Sequence, residues 1–270
     1  MPELPEVETT RRGIAGPLTG HRVDGAVVRN ASLRWPVPTH LSTSLPGQTL
    51  QRIDRRAKYL LLRFERGTLI VHLGMSGSLR ILPTATAPER HDHFDLIFGD
   101  VTLRLRDPRR FGAVLWHEGD DRDHALLASL GPEPLGDDFS GAVLHAALAR
   151  RQCAIKLAIM DSSVVVGVGN IYASESLFRA RLRPGTAARR LSLPQATRLA
   201  DEIRQTLRDA LAAGGSTLRD FLHADGKPGY FQQSYFVYGR EGEPCRVCTT
   251  PIRCRRLGNR STFFCPACQR

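Results

Sequence analysis

Apolar positions change their period twice along this chain. Val7, Ile14 and Leu18 fall on one face of a first helix, which Gly16-Pro17 brings to an end. From Gly20 to about His117 the helical period is lost. Tyr59–Phe64 and Thr68–Leu73 are apolar runs around Glu65-Arg66-Gly67, a pattern that predicts a hairpin. Phe94–Phe98 and Val101–Leu105 alternate around Gly99-Asp100 and predict a second one. Phe111–Trp116 reads as a further strand. Many short strands with turn residues between them predict a sandwich or a barrel.

Past Gly131-Pro132-Glu133-Pro134, read as a linker, the period becomes helical. Ser140 is placed to cap a helix running to Arg150, and Asn170–Arg181 has a helical pattern. Pro194–Ala213 is the clearest helix. Leu199, Ile203, Leu207 and Leu211 recur every fourth residue, and Gly214-Gly215 stops the run. Ser216–Phe231 has no clean period and reads as a functional loop. The expected class is α+β and multidomain. Residues 1–131 form a helix plus β-sandwich, 132–235 a helical domain with a long loop at about 216–231, and 236–270 a small ribbon.

Charge adds a partner to this picture. Lys and Arg number 38 against 27 Asp and Glu, for a net charge of +11, and arginine supplies nearly all of the positive side. A protein this basic is expected to meet a polyanion, with nucleic acid first in line. No apolar run reaches the ~18–20 residues of a membrane span, and no charged-then-apolar leader opens the chain. The expectation is a cytoplasmic protein with no membrane partner. Six cysteines are too few for a disulfide scaffold, and four of them sit in two C-x-x-C pairs. That usage predicts a reducing compartment and a metal site.

The two pairs are Cys245/Cys248 and Cys265/Cys268, separated by sixteen residues. Four thiolates at this spacing predict one closed, tetrahedral, structural Zn2+ site in a zinc ribbon. A Gly258-Asn259 turn lies between two short strands, and Arg260 just past it is well placed to reach a groove. Cys153 and Cys254 fall outside the spacing. Gly167 and Gly169 open onto a helix at Asn170, either as a plain helix–helix turn or as a phosphate cradle. Met75, in His72–Gly77, is either core or a wedge for a base stack. Asp107–Phe111 sets arginine and an aromatic on one turn, a mix suited to phosphate and base contact. Lys58 is either a surface charge or a cation of the site. At the start of the chain, removal of Met1 would leave Pro2 as a free secondary amine one residue from the Glu3 carboxylate. A free α-amino group, with a pKa of roughly 7.7–8.0, keeps a usable neutral fraction near neutral pH. Its attack on a masked aldehyde gives an iminium ion with no N–H to lose, and so a persistent electron sink. Glu3 is the matching general acid.

Together these motifs resemble bacterial formamidopyrimidine-DNA glycosylases over the whole chain. The resemblance rests on Met1–Glu8, Arg55–Leu60, His72–Gly77, Asp107–Gly112, Val166–Glu175, Asp225–Phe231 and the four cysteines. It implies an N-terminal β-sandwich, a helix–two-turns–helix domain and a zinc finger, with the function of a DNA glycosylase and abasic-site lyase for oxidised purines. It implies that Pro2 is the nucleophile, that Glu3 assists sugar-ring opening, that Lys58 donates a proton and touches phosphate, and that Arg260 grips phosphate and assists elimination. It further implies DNA contacts at His91, Arg109, Arg151, Asn170 and Lys227. Met75, Arg109 and Phe111 would fill the gap left by the extruded base, with Arg109, or in reserve Arg110, facing the orphan cytosine. The implied partner is double-stranded DNA with an oxidised purine opposite cytosine, bound by a monomer. Two alternatives stand beside this reading: an endonuclease-VIII-like enzyme for oxidised pyrimidines, and a non-catalytic damage-binding zinc-ribbon protein. The Thr217–Phe231 loop and Leu4 fit the purine enzyme.

Overall fold

A computed structural model describes residues 2–215 and 234–270. The expected loop at about 216–231, with Lys227, lies outside the described residues. The elements run α1 (Leu4–Leu18), β1 (Gly25–Val28), α2 (Leu41–Ser44), β2 (Arg52–Arg56), β3 (Tyr59–Arg63), β4 (Thr68–His72), β5 (Ser78–Pro83), β6 (Asp92–Phe98), β7 (Val101–Arg106) and β8 (Ala113–His117). They continue as α3 (Ala125–Ala128), α4 (Gly141–Leu148), α5 (Ile155–Ile159), α6 (Asn170–Arg179), α7 (Leu193–Ala212), β9 (Arg253–Leu257) and β10 (Arg260–Phe264). By contacts the chain divides into two compact units, one built mainly on Met1–Ala128 and the other on Ser129–Ala212 with the C-terminal segment.

The first unit holds two four-stranded antiparallel sheets, in the orders β1-β6-β7-β5 and β2-β3-β4-β8. Their inner faces share one core. Phe94, Leu96, Leu103 and Leu105 come from the first sheet, and Leu60, Leu62, Leu69, Val71 and Val114 from the second. Val7, Ile14 and Leu18 of α1 join the same core, so the apolar stripe read from the sequence is what seats this helix. The expected sandwich is present, and both expected hairpins form, β3–β4 and β6–β7. Three strands escape the sequence pattern. β1 has only four residues, and β2 (Arg-Ile-Asp-Arg-Arg) buries only Ile53. Its charged side chains are accommodated by pairing, as in Arg63–Asp54 at 2.9 Å. The third is β5.

In the second unit Ser140 caps α4 by accepting the Val143 N–H at 3.2 Å, as its sequence position suggests. α7 begins at Leu193 and buries Leu199, Ile203 and Leu207. α6 ends two residues before the expected Arg181, because Arg181 turns into the left-handed region at φ 57°. β9 and β10 form the ribbon hairpin. Its small core consists of Phe178, Val237, Cys245, Ile252 and Cys265.

Candidate active site and nucleic-acid interface

The strand order gathers the candidate residues of the first unit at one end of the sandwich. β4 lies beside β8 in one sheet, and β5 beside β7 in the other. The loop after β4 and the loop after β7 therefore cross between the sheets next to each other. Register agrees: His72 pairs with Ala113, and Ser78 with Arg106. Met75 rides on the first loop, and Arg109, Arg110 and Phe111 on the second. The expected strand at Phe111–Trp116 starts only at Ala113, which leaves Phe111 off the sheet and 47% exposed. The Arg109 guanidinium stacks over its ring at 4.8 Å. His91 belongs to the same end, since its carbonyl accepts the Asp107 N–H at 2.9 Å.

Two glycines make this approach possible. A Cβ on Gly74 (φ 61°) would lie 2.3 Å from the Phe111 carbonyl carbon, and one on Gly77 would lie 2.3 Å from the Leu73 carbonyl oxygen. Only glycine allows the backbones so close. Met75 is thus half-buried on a loop pinned at both sides, and is neither core nor freely swinging. Two further residues at this junction, Asp107 and Ser76, were not singled out from the sequence. The Asp107 carboxylate is fully buried. It accepts the Ser76 hydroxyl at 2.7 Å and the Gly112 N–H at 2.7 Å. An Asp-Pro turn opener was the available signal.

Pro2 and Glu3 are buried at the head of α1. Glu3 and Glu6 form a capping box, with the Glu3 N–H donating to the Glu6 Oε2 at 2.8 Å, and Pro5 sits in the first turn. Lys58 stands just ahead of β3, outside the strand itself. It lies in the two-residue turn between β2 and β3, where Ala57 takes φ 54°. A link between this turn and α1 was invisible in the sequence. Arg55 donates to Glu8 at 3.2 Å and to the Ala57 carbonyl at 2.9 Å. Burial would push the Glu8 carboxyl up, but Arg11, Arg12 and Arg55 outweigh it and hold it below the usual range. The helix that carries Pro2 and Glu3 and the turn that carries Lys58 are therefore fixed to each other by a charged bridge.

His72 reports on the same region. Its Nδ1 accepts the Gly74 N–H at 3.0 Å, and its ring packs 4.9 Å from Tyr59. Burial first, then the Lys58 and Arg34 cations, lowers its pKa from 6.5 to about 4. A rim of the ring remains exposed. Because the folded value is depressed, the neutral imidazole contributes full stability above pH 6.5 and loses it as pH falls toward 4. The expected loss is about 2 kcal/mol at pH 4, after allowance for the exposed rim. Urea unfolding at several pH values checks this. His72→Gln keeps an acceptor for Gly74 and should flatten the slope between pH 6.5 and 4; an equal slope in both proteins would show that His72 does not carry it.

In the second unit Asn170 is the first residue of α6, after the Gly169 N-cap. Its side-chain oxygen is buried with no partner among the described residues. The N–H groups of the helix N-terminus suit an anion, and the NH2 of the same amide can donate to one. Arg151 pairs with Asp161 at 2.6 Å and bonds the Ser163 hydroxyl at 2.8 Å. Arg260 is exposed at the first position of β10, beside Gly258 at φ 54°. The fully buried Lys156 donates to the Ser261 carbonyl and the Thr262 hydroxyl, both at 2.9 Å, and so holds the strand behind Arg260. Glu175 of α6 accepts three consecutive N–H groups, Phe236 to Tyr238, at 2.8–3.0 Å. Neither Lys156 nor Glu175 stood out in the sequence.

The four cysteine sulfurs of the ribbon all lie within 4.8 Å of one another. Cys245 and Cys268 are 3.9 Å apart, and Cys248 and Cys265 3.4 Å. Tetrahedral Zn2+ with bonds of about 2.3 Å requires sulfurs about 3.8 Å apart, so the donor set fits. Burial and the neighbouring sulfurs push the Cys268 thiol up, and burial does the same to Cys265. Four thiolates packed this closely call for a cation among them. The site is a structural Zn2+ site with four protein ligands.

Comparison with known proteins covers both units. The formamidopyrimidine-DNA glycosylase N-terminal domain matches residues 1–114, the formamidopyrimidine-DNA glycosylase H2TH domain residues 130–222, and the zinc finger found in FPG and IleRS residues 242–270. A formamidopyrimidine-DNA glycosylase of Methylobacillus flagellatus is 60% identical, over 100% of this chain and 96% of its own. The crystal structure of the MutM (Fpg) protein of Thermus thermophilus has a TM-score of 0.90 at 40% identity, covering 99% of this chain and 98% of that one. A Lactococcus lactis Fpg mutant in complex with Fapy-dG-containing DNA has a TM-score of 0.93 at 33% identity, with both chains fully covered. Sandwich, helical region, four-cysteine ribbon and these matches agree: the chain belongs to the formamidopyrimidine-DNA glycosylase family.

Proposed function

We propose that this chain excises oxidised purines, 8-oxoguanine and formamidopyrimidines, from double-stranded DNA and then cleaves the strand. The observation that carries the reading is the buried Pro2-Glu3 start of α1, tied through Glu8 and Arg55 to the turn of Lys58. The crystallised complex of the Lactococcus lactis relative with Fapy-dG DNA supports the substrate class. In this reading residues 1–131 carry the chemistry, and residues 132–235 and 236–270 hold the duplex. The enzyme works as a monomer on chromosomal DNA in the bacterial cytoplasm and prefers a lesion opposite cytosine.

The lesion nucleotide leaves the stack because C1′ cannot be reached inside it. With Met1 removed, the Pro2 amine attacks C1′, the sugar ring opens with a proton from Glu3, and the C1′–base bond breaks as the base takes up a proton. The resulting iminium acidifies C2′. Loss of a C2′ proton expels the 3′ phosphate, and a second elimination expels the 5′ phosphate. Lys58 and Arg260 serve as proton donors and phosphate contacts. His91, Arg151, Asn170 and Lys227 hold the backbone, while Met75, Arg109 and Phe111 fill the vacated gap, with Arg109 or Arg110 against the orphan cytosine. The Zn2+ supplies no chemistry and only shapes the ribbon.

Borohydride tests the proposal. Incubated with an 8-oxoguanine duplex, the protein should give a covalent adduct on reduction; intact binding without an adduct would reduce it to a damage-binding module. Arg260→Ala should weaken binding and lower the slope of log K against log salt by about 0.9. An unchanged slope in a salt titration would mean that Arg260 does not touch phosphate.

A further inference from the structure

We infer that Asp107, with Ser76, is a positioning residue that makes Met75 and the Arg109–Phe111 turn act as one wedge, and thereby sets the choice of opposite base. The inference rests on the proposed function, because it assigns both loops to the gap left by the flipped base. Met75 and Phe111 are 36 positions apart in sequence, on loops that leave different sheets. The Ser76 hydroxyl joins the two loops by donating to the Asp107 carboxylate, and both residues are buried.

The geometry is specific to a carboxylate. Oδ1 accepts the Ser76 hydroxyl at 2.7 Å and lies 3.3 Å from the Arg109 N–H; Oδ2 accepts the Gly112 N–H at 2.7 Å. The Arg109 N–H also reaches the Ser76 hydroxyl at 3.2 Å. The Arg109 and Gly112 N–H groups can only donate, and they face different oxygens of the carboxylate, so both oxygens must accept. An amide at this place would turn its NH2 toward either the Arg109 or the Gly112 N–H and so lose one anchor of the turn, while the Ser76 hydroxyl can turn to accept. The Asp107 main chain serves the same turn. Its carbonyl accepts from Arg110 at 3.2 Å, with Arg110 at φ 57°, and bonds His93 Nε2 at 2.8 Å. The carboxylate thus ends the turn on the far side of Phe111, fixes the backbone of Arg109 in the middle, and holds the loop of Met75.

A mechanical consequence follows. If the loops enter the duplex as one body, insertion of Met75 and presentation of Arg109 to the orphan base happen together, so a wrong orphan base also resists Met75. Uncoupled loops would insert separately, and the penalty at Arg109 would no longer reach the lesion strand.

Asp107→Asn and Ser76→Ala, each shown to be folded by its thermal transition, test this. Three measurements are made on each protein: excision of 8-oxoguanine opposite C and opposite A, borohydride trapping on a single-stranded oligonucleotide bearing an abasic site, and stopped-flow fluorescence of 2-aminopurine beside the lesion. Asp107→Asn should slow excision opposite C by roughly 10- to 100-fold, the scale of a positioning slip of about an ångström. Ser76→Ala should slow it roughly tenfold, the low end of what one buried hydrogen bond to a charged group contributes. In both variants the ratio of C to A rates should narrow, and a single insertion phase should split in two. Trapping on the single strand, which has no gap to fill, should stay within about twofold. An unchanged C-to-A ratio with a single insertion phase overturns the coupling. So does an equal loss of single-strand trapping, which would place the defect in the fold or the chemistry. If the wild-type protein yields no adduct on either substrate, the proposed function fails and takes the coupling with it. Wild-type trapping beside unchanged variants removes the coupling alone. If Asp107→Asn does not fold, the same outcomes are read from Ser76→Ala.

Discussion

A homogeneous preparation with one extra residue ahead of Pro2 is expected to bind an 8-oxoguanine or abasic-site duplex within a few-fold of the free-proline enzyme and to give no borohydride-trapped adduct. The reason is electronic. An amide nitrogen shares its lone pair with the carbonyl and cannot attack C1′, whereas a free α-amine with a pKa of roughly 7.7–8.0 keeps a neutral nucleophilic fraction near pH 7. Binding should survive because the residues proposed for the grip and the gap, Arg260, Asn170, Met75 and Phe111, lie elsewhere in the chain. Pro2→Gly is a weaker test, since a primary amine still forms an imine. Mass spectrometry must verify the blocked terminus. Trapping at the wild-type rate in such a preparation would move the nucleophile elsewhere, with Lys58 the next candidate.

The second large effect is the loss of zinc. Cys248→Ser is expected to unfold the ribbon, release the metal and weaken DNA binding by tenfold or more, the scale of one lost charge-assisted contact. The small core explains the severity. Of its five buried residues, Cys245 and Cys265 are themselves ligands, so the hydrophobic side has little to hold the hairpin once the metal leaves. Structural zinc in comparable ribbons contributes about 10–16 kcal/mol. The β-sandwich has its own core and should keep its thermal transition. Zinc content, a lesion-duplex titration and a melting curve measure the three parts, and wild-type affinity in a zinc-free variant would refute the role assigned to the ribbon.

What could be read from the sequence divides by range. The α7 stripe, the hairpin turns, the four cysteines and the Pro2-Glu3 pair are local patterns. Period or spacing within a few residues reveals each of them. The supports of the site are long-range. Ser76 and Asp107 are separated by 31 positions, Arg55 and Glu8 by 47, Glu175 and Phe236 by 61, and Lys156 and Thr262 by 106. No periodicity links such pairs, because the fold alone brings them together. The misplaced strand start at Phe111 has the same cause. The residue is apolar and continues the run, but the Asp107 carboxylate takes the Gly112 N–H before the ladder begins. The motifs that carry the family resemblance therefore point to loops that the fold sets side by side, without saying what holds them.

Lys156 bears on how this protein can be recombined. A chimera that takes its ribbon from one relative and its α5 from another must keep a long cationic side chain at this place. A shorter one would leave the Ser261 carbonyl and the Thr262 hydroxyl dry on the inner side of β10, the strand that displays Arg260. The ribbon looks like a cassette by its cysteine spacing. By its hydrogen bonds it is a unit of exchange only together with Ile155–Ile159 and with α6, whose Glu175 holds Phe236 to Tyr238, and crossover points that keep these contacts lie outside all three segments.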